Sequence, residues 1–401
     1  MILQEQLSEV IEAQKIVFNQ KKNSFPRQAL EKIPIVEQFA TIISGIRRCG
    51  KSTLLLQLLQ SKYKDALYLN FEDIRLVGFE VSDFSRLQKE IEERGITVLF
   101  FDEIQLVEKW EIFVHQLLNS DYTLFVTGSN ASLLNGEMGT HLTGRHLPME
   151  LFPFSYSEFL AYKSLTAGEE SLKTYIQSGG MPEYLNTGEP LILSRLIDDI
   201  VVRDIAVRNN IREIESLKKL ALYLISNVRK PASANKLSGT LGIKSPTTVS
   251  NYFAFFKDTY LLDFLPQFSY SMNVQIRNPK KVYVMDLGFI EVASASFSDD
   301  LGRKLENLVY IYLRRQQDEL YYFKEKGECD FVVFNKEKIK ALIQVCHQIN
   351  DLNIERETQG LLEAMKYFKV SEGVIVTMNQ KDVINVDSFE IRLVPAWEYV
   401  G

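Results

Sequence analysis

Gly45-Ile46-Arg47-Arg48-Cys49-Gly50-Lys51-Ser52-Thr53 is the stretch on which the reading of this chain turns. It is a complete G-x4-G-K-[ST] pattern, directly after the apolar run Thr41-Ile42-Ile43-Ser44 and directly before the helix-forming run Thr53 to Leu59. A strand before and a helix after are the context that separates a phosphate-binding loop from a chance glycine-rich turn. Glycines let backbone N–H groups wrap an anion, the helix N-terminus adds its dipole, a lysine reaches terminal phosphate oxygens and a hydroxyl ligates Mg²⁺. The nine residues from Gly45 to Thr53 are therefore the candidate binding set, with Lys51 catalytic and Ser52 on the metal.

Working outward, Thr41 to Ser44, Ala66 to Asn70, Thr97 to Phe101 and Thr123 to Thr127 read as strands buried on both faces and separated by amphipathic helices. That is the pattern of a parallel α/β sheet. The third run ends in Asp102-Glu103, which puts two carboxylates at the C-terminal edge of a buried strand. Asp102 is expected to hold the metal and Glu103 to orient or deprotonate an attacking water. The fourth ends in Thr127-Gly-Ser129-Asn130, whose hydroxyl and amide are candidates to contact the terminal phosphate, an ordinary strand-to-helix turn being the alternative. Arg145 is a candidate to neutralise transition-state charge, in cis or from a neighbouring subunit.

Composition bounds the rest. The 401 residues carry 46 Lys and Arg against 52 Asp and Glu, a formal charge of −6, with 46% hydrophobic residues. This excludes disordered, collagen-like and disulfide-scaffold classes. Cys49, Cys329 and Cys346 are too scattered for a disulfide framework, the N-terminus carries acids where a secretory signal has bases, and no run of about 18 apolar residues occurs. A cytoplasmic protein with no membrane span is expected. Charge is uneven: residues 203–281 hold 13 Lys and Arg against 5 Asp and Glu, which leaves the remainder at −14.

The series GIRRCGKST, YLNFEDIR, VLFFDEIQ, VTGSNASLL, LTGR with ELFPFSYSEFL, and SGGMPEYL resembles a family of prokaryotic AAA-type ATPases that carry a C-terminal domain of unknown function. The resemblance covers nearly the whole chain. It implies an α/β P-loop core with an N-terminal helical lead-in over 1–150, a helical lid over 151–205, a winged helix-turn-helix segment over 206–290 and a small α/β domain similar to PD-(D/E)xK nucleases over 291–401. It places the nucleotide site on Gly45, Gly50, Lys51, Ser52, Asp102 and Glu103, the polar sensor on Ser129 or Asn130 and the arginine finger on Arg145, with homo-oligomerisation following if that role transfers. Arg195 and Arg203 are unseparated candidates for a second sensor.

Within the basic segment, a short helix at Ala232 to Leu241, a second opening at Ser245 and a hairpin over Asp263 to Met285 match the winged layout. On that reading Thr247, Thr248, Ser250 and Asn251 face a DNA groove, while Lys244, Arg277, Lys280 and Lys281 touch phosphates. Docking of a protein partner is the alternative. In the last domain Glu306, Asp330, Gln344 and Cys346 follow the order of a PD-(D/E)xK site, but an amide stands at an acid position and a thiol at the lysine position. A degenerate centre is expected. The expectation is thus an ATP- and Mg²⁺-dependent ATPase acting with DNA. The alternatives are a slow nucleotide switch that recruits proteins and an ATP-gated metal-dependent nuclease.

Overall fold

The computed structural model describes residues 1–20, 24–131, 144–293, 301–316 and 319–401. It divides once, into residues 1–152 and 153–401, so the lid, winged and C-terminal segments distinguished by sequence pack as one unit.

In the first unit the elements run α1 (Gln4–Gln20), β1 (Ala40–Ser44), α2 (Lys51–Lys62), β2 (Leu67–Asn70), α3 (Phe84–Glu93), β3 (Val98–Asp102), α4 (Trp110–Leu118), β4 (Thr123–Gly128) and β5 (His146–Glu150). The strands form one sheet in the order β2-β3-β4-β1-β5, parallel throughout. Parallel strands bring all their C-terminal ends to one edge, so Ser44, Asp102 and Gly128 lie along the same rim. Sequence periodicity located four of these strands. It missed β5, whose His146, Pro148 and Glu150 break the apolar run, because an edge strand needs burial on one side only.

The polar N-terminal lead-in has a definite task. Its helix α1 lies along the edge strand β2, where Gln14 Nε2 donates to the Asn70 carbonyl at 3.1 Å and Gln14 Oε1 accepts from the Asn70 N–H at 2.7 Å. One amide thus pairs both backbone groups of an edge residue, which protects that edge from pairing with another chain. Leu7, Val10 and Ile11 join Leu69, Leu99 and Phe101 in the core.

The second unit begins with α5 (Tyr156–Lys163), α6 (Glu169–Ser178), α7 (Pro182–Thr187) and α8 (Pro190–Asp199), and the last widens into a π-helical stretch over Ile200–Val207. Helix α5 starts at a capping box in which Ser155 and Glu158 exchange side-chain-to-backbone hydrogen bonds. The Gly179-Gly180 pair that follows α6 is required by contact. A Cβ at Gly179, where φ is +69°, would stand 2.1 Å from Asp286 Oδ1, and one at Gly180 would stand 2.2 Å from the Phe154 carbonyl.

Next come α9 (Ile214–Ser226), β6 (Pro231–Ala232), α10 (Ala234–Leu241), α11 (Pro246–Asp258), β7 (Leu262–Leu265), α12 (Met272–Arg277), β8 (Lys280–Val284) and α13 (Gly288–Ala293). Gly242, left-handed at φ +66°, ends α10, and Ser245 caps α11. The three strands form an antiparallel sheet in the order β6-β8-β7. The hairpin expected from Asp263 to Met285 is real as a strand pair but not as a tight turn. Its connection contains α12, so Lys280 and Lys281 lie on the strand rather than at a tip. The linker expected over Glu291 to Asp300 begins inside α13, and residues 294–300 lie outside the described ones.

The chain closes with α14 (Leu301–Arg314), β9 (Glu319–Lys324), β10 (Glu328–Asn335), β11 (Lys338–Val345), α15 (Ile354–Phe368), β12 (Glu372–Thr377), β13 (Asp382–Val386), β14 (Phe389–Pro395) and α16 (Ala396–Tyr399). The sheet order is β13-β14-β12-β11-β10-β9. Here β9, β10 and β11 form an antiparallel meander, and β11, β12 and β14 run parallel. Among the described residues no helix is long and apolar enough to cross a membrane.

Candidate functional site

Gly45 and Gly50 have φ of +148° and +104°, and a Cβ on Gly45 would lie 2.2 Å from the Leu151 carbonyl. The loop between them therefore bends tightly from β1 into α2, which begins at Lys51. Lys51 Nζ donates to the carbonyls of Gly45 at 3.2 Å and Ile46 at 3.4 Å and stands 3.5 Å from Glu103 Oε1. Burial works against its charge, but Glu103, Cys49 and Asp102 outweigh that and hold its pKa above the usual lysine value. Cys49 is buried, its thiol facing the Leu151 carbonyl at 3.3 Å, and desolvation pushes its pKa up, so it is a packing residue.

Sequence reasoning missed the residue that holds this loop. Arg27 is buried, and its guanidinium donates at 2.7 Å to the Cys49 carbonyl and at 2.7 Å to the Phe152 carbonyl. Its own N–H donates to Gln57 Oε1 at 3.0 Å, and Gln57 Nε2 donates back to the Phe25 carbonyl at 2.7 Å. The signal was a lone arginine in Phe25-Pro26-Arg27, which no motif marks.

Asp102, the last residue of β3, is fully buried. It accepts from Tyr68 Oη at 2.6 Å, from the Thr127 hydroxyl and from the Ser52 side chain. Desolvation and then the charge of Glu103 raise its pKa, with those three hydroxyls working the other way. A buried carboxylate collared by hydroxyls is a donor set for a hard cation. Ser52 and Asp102 present the hydroxyl and carboxylate oxygens that Mg²⁺ prefers. Among the described residues there is no group of three or more His, Cys, Asp or Glu side chains poised to hold a metal.

Glu103 takes a left-handed backbone at φ +53°, an uncommon conformation for a non-glycine residue. Its N–H donates to Thr127 Oγ1 at 3.1 Å, and its carboxylate is gripped by Lys51 and by the Gln105 amide. Thr127 therefore touches Asp102 and the backbone of Glu103, and the expected Ser129 and Asn130 are buried just beyond β4. Arg145 donates to Asn119 Oδ1 at 2.8 Å, and its carbonyl accepts from Ala40, the first residue of β1. That is the opposite edge of the sheet from the loop, about 13 Å along a five-residue strand. The in-cis role for Arg145 is thereby corrected. Of the two candidate second-sensor residues, Arg195 and Arg203, both are exposed.

In the second unit, Lys244, Thr247, Ser250, Asn251 and Arg277 are exposed, Lys280 is half-buried and Thr248 is engaged by the cap of α11 through Ser245 Oγ. Lys281 departs from its expected role as a phosphate contact. It is 1% exposed and its ammonium meets Asp330 Oδ1 at 2.7 Å, Glu328 Oε1 at 2.8 Å and Glu306 Oε1 at 3.1 Å. Strand alternation turned it into the protein, where burial lowers its pKa but the three carboxylates outweigh this and hold it well above the usual value. Of the last-domain set, Glu306 and Asp330 do come together. Burial first and Asp330 second push Glu306 up to about 8. Gln344 accepts from the Asp330 N–H at 3.2 Å and donates to Glu357 Oε2 at 3.1 Å. Cys346 bonds the Gln348 carbonyl at 3.2 Å. Glu357 and the pairing of Lys281 with these acids escaped the sequence reading because they come from other elements, while Glu328 shares β10 with Asp330 and was passed over.

Comparison with known proteins now adds to the geometry. A family model described as an AAA domain matches residues 37–160, and a domain of unknown function, DUF8612, matches residues 169–300. The uncharacterized protein MJ1544 of Methanocaldococcus jannaschii is 35% identical over 400 residues, 92% of this chain and 89% of its own. An uncharacterized protein of Haemophilus influenzae is 31% identical over 381 residues, 90% of this chain and 94% of its own. Among solved structures, Drosophila ORC bound to AT-rich DNA and Cdc6 is matched at 13% identity over 69% of this chain and 91% of that one, with a TM-score of 0.21. Cdc6p from Pyrobaculum aerophilum is matched at 14% identity over 72% and 91%, with a TM-score of 0.26. Superpositions this loose carry no weight for fold or function.

Proposed function

The chain belongs to one family with the M. jannaschii and H. influenzae proteins and carries an AAA domain, and from that premise we propose that it is a Mg²⁺-dependent ATPase whose nucleotide state is coupled to a DNA-binding module. The observation that carries this reading is the convergence on one sheet rim of the glycine loop with Lys51, the collared Asp102 and the left-handed Glu103. The backbone N–H groups from Gly45 to Thr53 cradle the phosphates, and Lys51 offsets the charge of the terminal phosphoryl group. Ser52 and Asp102 hold Mg²⁺, which supplies charge neutralisation on the phosphate oxygens. Glu103 orients the attacking water and receives its proton. Thr127 positions both acids.

Arg145, at the far rim of its own sheet, serves the site of a second copy, which makes the working form a homo-oligomer. Helices α10 and α11 with β6, β7 and β8 form the winged helix-turn-helix segment, and its exposed Lys244, Thr247, Ser250, Asn251 and Arg277 contact DNA. Residues 301–401 provide the PD-(D/E)xK-like fold in a non-cleaving form, and the protein works in the cytoplasm.

The test is ATP turnover by wild type and by Glu103→Gln, across protein concentration and with duplex, forked or single-stranded DNA. Turnover that rises with concentration and DNA and falls at least about 100-fold in the variant supports the proposal. Turnover that Glu103→Gln leaves unchanged overturns it. One observation favours a second reading. Glu103 is held by Lys51 and Gln105 at once, a resting grip suited to a slow switch that recruits a protein partner, and slow turnover indifferent to DNA supports that version.

A further inference from the structure

The resemblance of residues 291–401 to metal-dependent nucleases implies a divalent cation among Glu306, Asp330 and their neighbours, and the residues present do not fit one. We infer that Lys281 is the resident cation of this centre, its ammonium standing where a divalent ion would bind and closing the site to Mg²⁺ and Mn²⁺.

The donor count is complete. An ammonium has three N–H bonds, and Lys281 spends one on each of Asp330, Glu328 and Glu306, at 2.7, 2.8 and 3.1 Å. The oxygens are taken in turn. Asp330 Oδ2 accepts from the Val345 N–H at 3.0 Å, and Glu306 Oε1 accepts a second bond from Tyr283 Oη at 2.8 Å. Glu306 Oε2 makes no hydrogen bond and has the Arg229 guanidinium at 3.4 Å, a positive charge where a second metal-binding oxygen is needed. Gln344, at the position where the motif has an acid, offers only a neutral oxygen, which already accepts from the Asp330 N–H.

The lysine is also held in place from behind. Lys281 pairs in register with Pro231 of β6 and Leu265 of β7, so its backbone lies in the central strand of a three-stranded sheet. The Tyr322 ring, 5.6 Å from Nζ, walls its flank. The backbone of Arg229 is held as well. It is left-handed at φ +73°, and its N–H donates to the Val282 carbonyl at 2.7 Å. A non-glycine residue kept in that conformation implies surroundings that over-determine it.

Access is not what limits a metal. A cleft of about 710 Å³, lined by Glu328, Asp330, Gln344 and Glu357, opens beside the cluster, so a hydrated ion reaches the carboxylates from solvent. What excludes it is the charge already there. The centre therefore works without a divalent ion, in contrast to the nucleotide site on Ser52 and Asp102.

The experiment is Mn²⁺ titration of the full chain, followed by electron paramagnetic resonance, with Asp102→Asn in every arm so that the nucleotide site and the ATPase reading stay out of the measurement. Wild type at Lys281 is expected to bind no Mn²⁺ that Asp330→Asn removes. Lys281→Met keeps most of the side chain without its charge, frees three carboxylates, and is expected to bind one Mn²⁺ at least about tenfold more tightly, with the gain lost on adding Asp330→Asn. Should Lys281→Met be too unstable to titrate, its thermal midpoint is expected to rise with Mn²⁺ while that of the parent does not, because a ligand that binds only the folded state stabilises it. Asp330-dependent Mn²⁺ binding by the parent, or a Lys281→Met chain that neither binds Mn²⁺ nor is stabilised by it, overturns the inference.

Discussion

Replacing Arg27 by methionine removes the guanidinium and keeps most of its bulk. Among the bonds lost are two, each 2.7 Å long and each from a cation to a buried carbonyl, those of Cys49 and Phe152. Hydrogen bonds from charged groups are worth about 1.5–3 kcal/mol, and the orphaned carbonyls keep their desolvation cost. Arg27 is only 4% exposed, so screening does not erode these terms, and the sum is about 3–6 kcal/mol. That compares with a total stability of about 5–15 kcal/mol for an ordinary domain. The Arg27 side chain meets the loop at the residue before Gly50, where a Cβ would stand 3.1 Å from Nη1. Loosening the loop costs nucleotide affinity, because ordering it again on binding draws on the binding energy. Urea unfolding of the Arg27→Met protein is expected to show a lower midpoint with unchanged slope. Titration with a fluorescent ATP analogue is expected to show affinity weaker by at least about tenfold, with Arg27→Lys intermediate because a point donor cannot span both carbonyls. An unchanged midpoint together with unchanged affinity would refute the idea that Arg27 fastens the loop.

Gly45→Ala adds a methyl 2.2 Å from the backbone oxygen of Leu151, a contact that no rotamer relieves, so β1 and β5 must part. The expected result is loss of ATP-analogue binding with a thermal midpoint lowered by several degrees in calorimetry. Asp286 gives a pH signature. It accepts from the N–H groups of Gly180 at 2.7 Å and Gly288 at 2.9 Å. Burial nonetheless outweighs those bonds and the Arg315 charge, and raises its pKa from 3.8 to about 7. The folded protein thus binds this proton more tightly than the unfolded chain does. The contribution is fully present below pH 4, falls as pH rises to about 7 and is flat above. Its size is about 4 kcal/mol at 1.36 kcal/mol per unit. Urea midpoints between pH 4 and 7 are expected to fall less steeply in Asp286→Asn than in wild type, and parallel slopes in the two proteins would assign the pH dependence elsewhere.

The first unit was legible wherever chemistry and periodicity coincide in a few consecutive residues. Thr41 to Ser52 carries strand, loop, lysine and helix start in one stretch, and Val98 to Glu103 carries a buried run with its acids. Both signals are local, and the parallel sheet follows from repeating them. What escaped is long-range. Arg27 acts on Cys49 from outside the motif, Gln14 covers an edge strand 56 residues away, and Thr127 was passed over because its partner Asp102 lies on a neighbouring strand. The strand β5 was lost to its own polarity. In the second unit the sequence pointed to Glu306 and Asp330 but had no means of finding Lys281, whose position in a basic run argued for the surface.

That misreading of Lys281 shows what a count of charges leaves out. An excess of eight positive charges over residues 203–281 implies a basic face only if those charges reach solvent. Lys281 is consumed by Asp330, Glu328 and Glu306, Arg229 by contact with Glu306, and Lys218 by Asp198. All four of those acids lie outside the counted interval. The excess is therefore partly an artefact of cutting the sequence between partners that fold together. Of the bases that stay exposed, among them Arg203, Arg208, Arg212, Lys219, Lys230, Lys236 and Lys257, the proposed DNA contact uses two, Lys244 and Arg277, a smaller set than the sum suggests. A DNA contact built on it neutralises only a few phosphates, and its affinity falls with salt by about 0.9 per phosphate on logarithmic axes. A measured slope near −8 would require most of those other exposed bases to join the contact. A slope near −2 is what contact by Lys244 and Arg277 alone predicts.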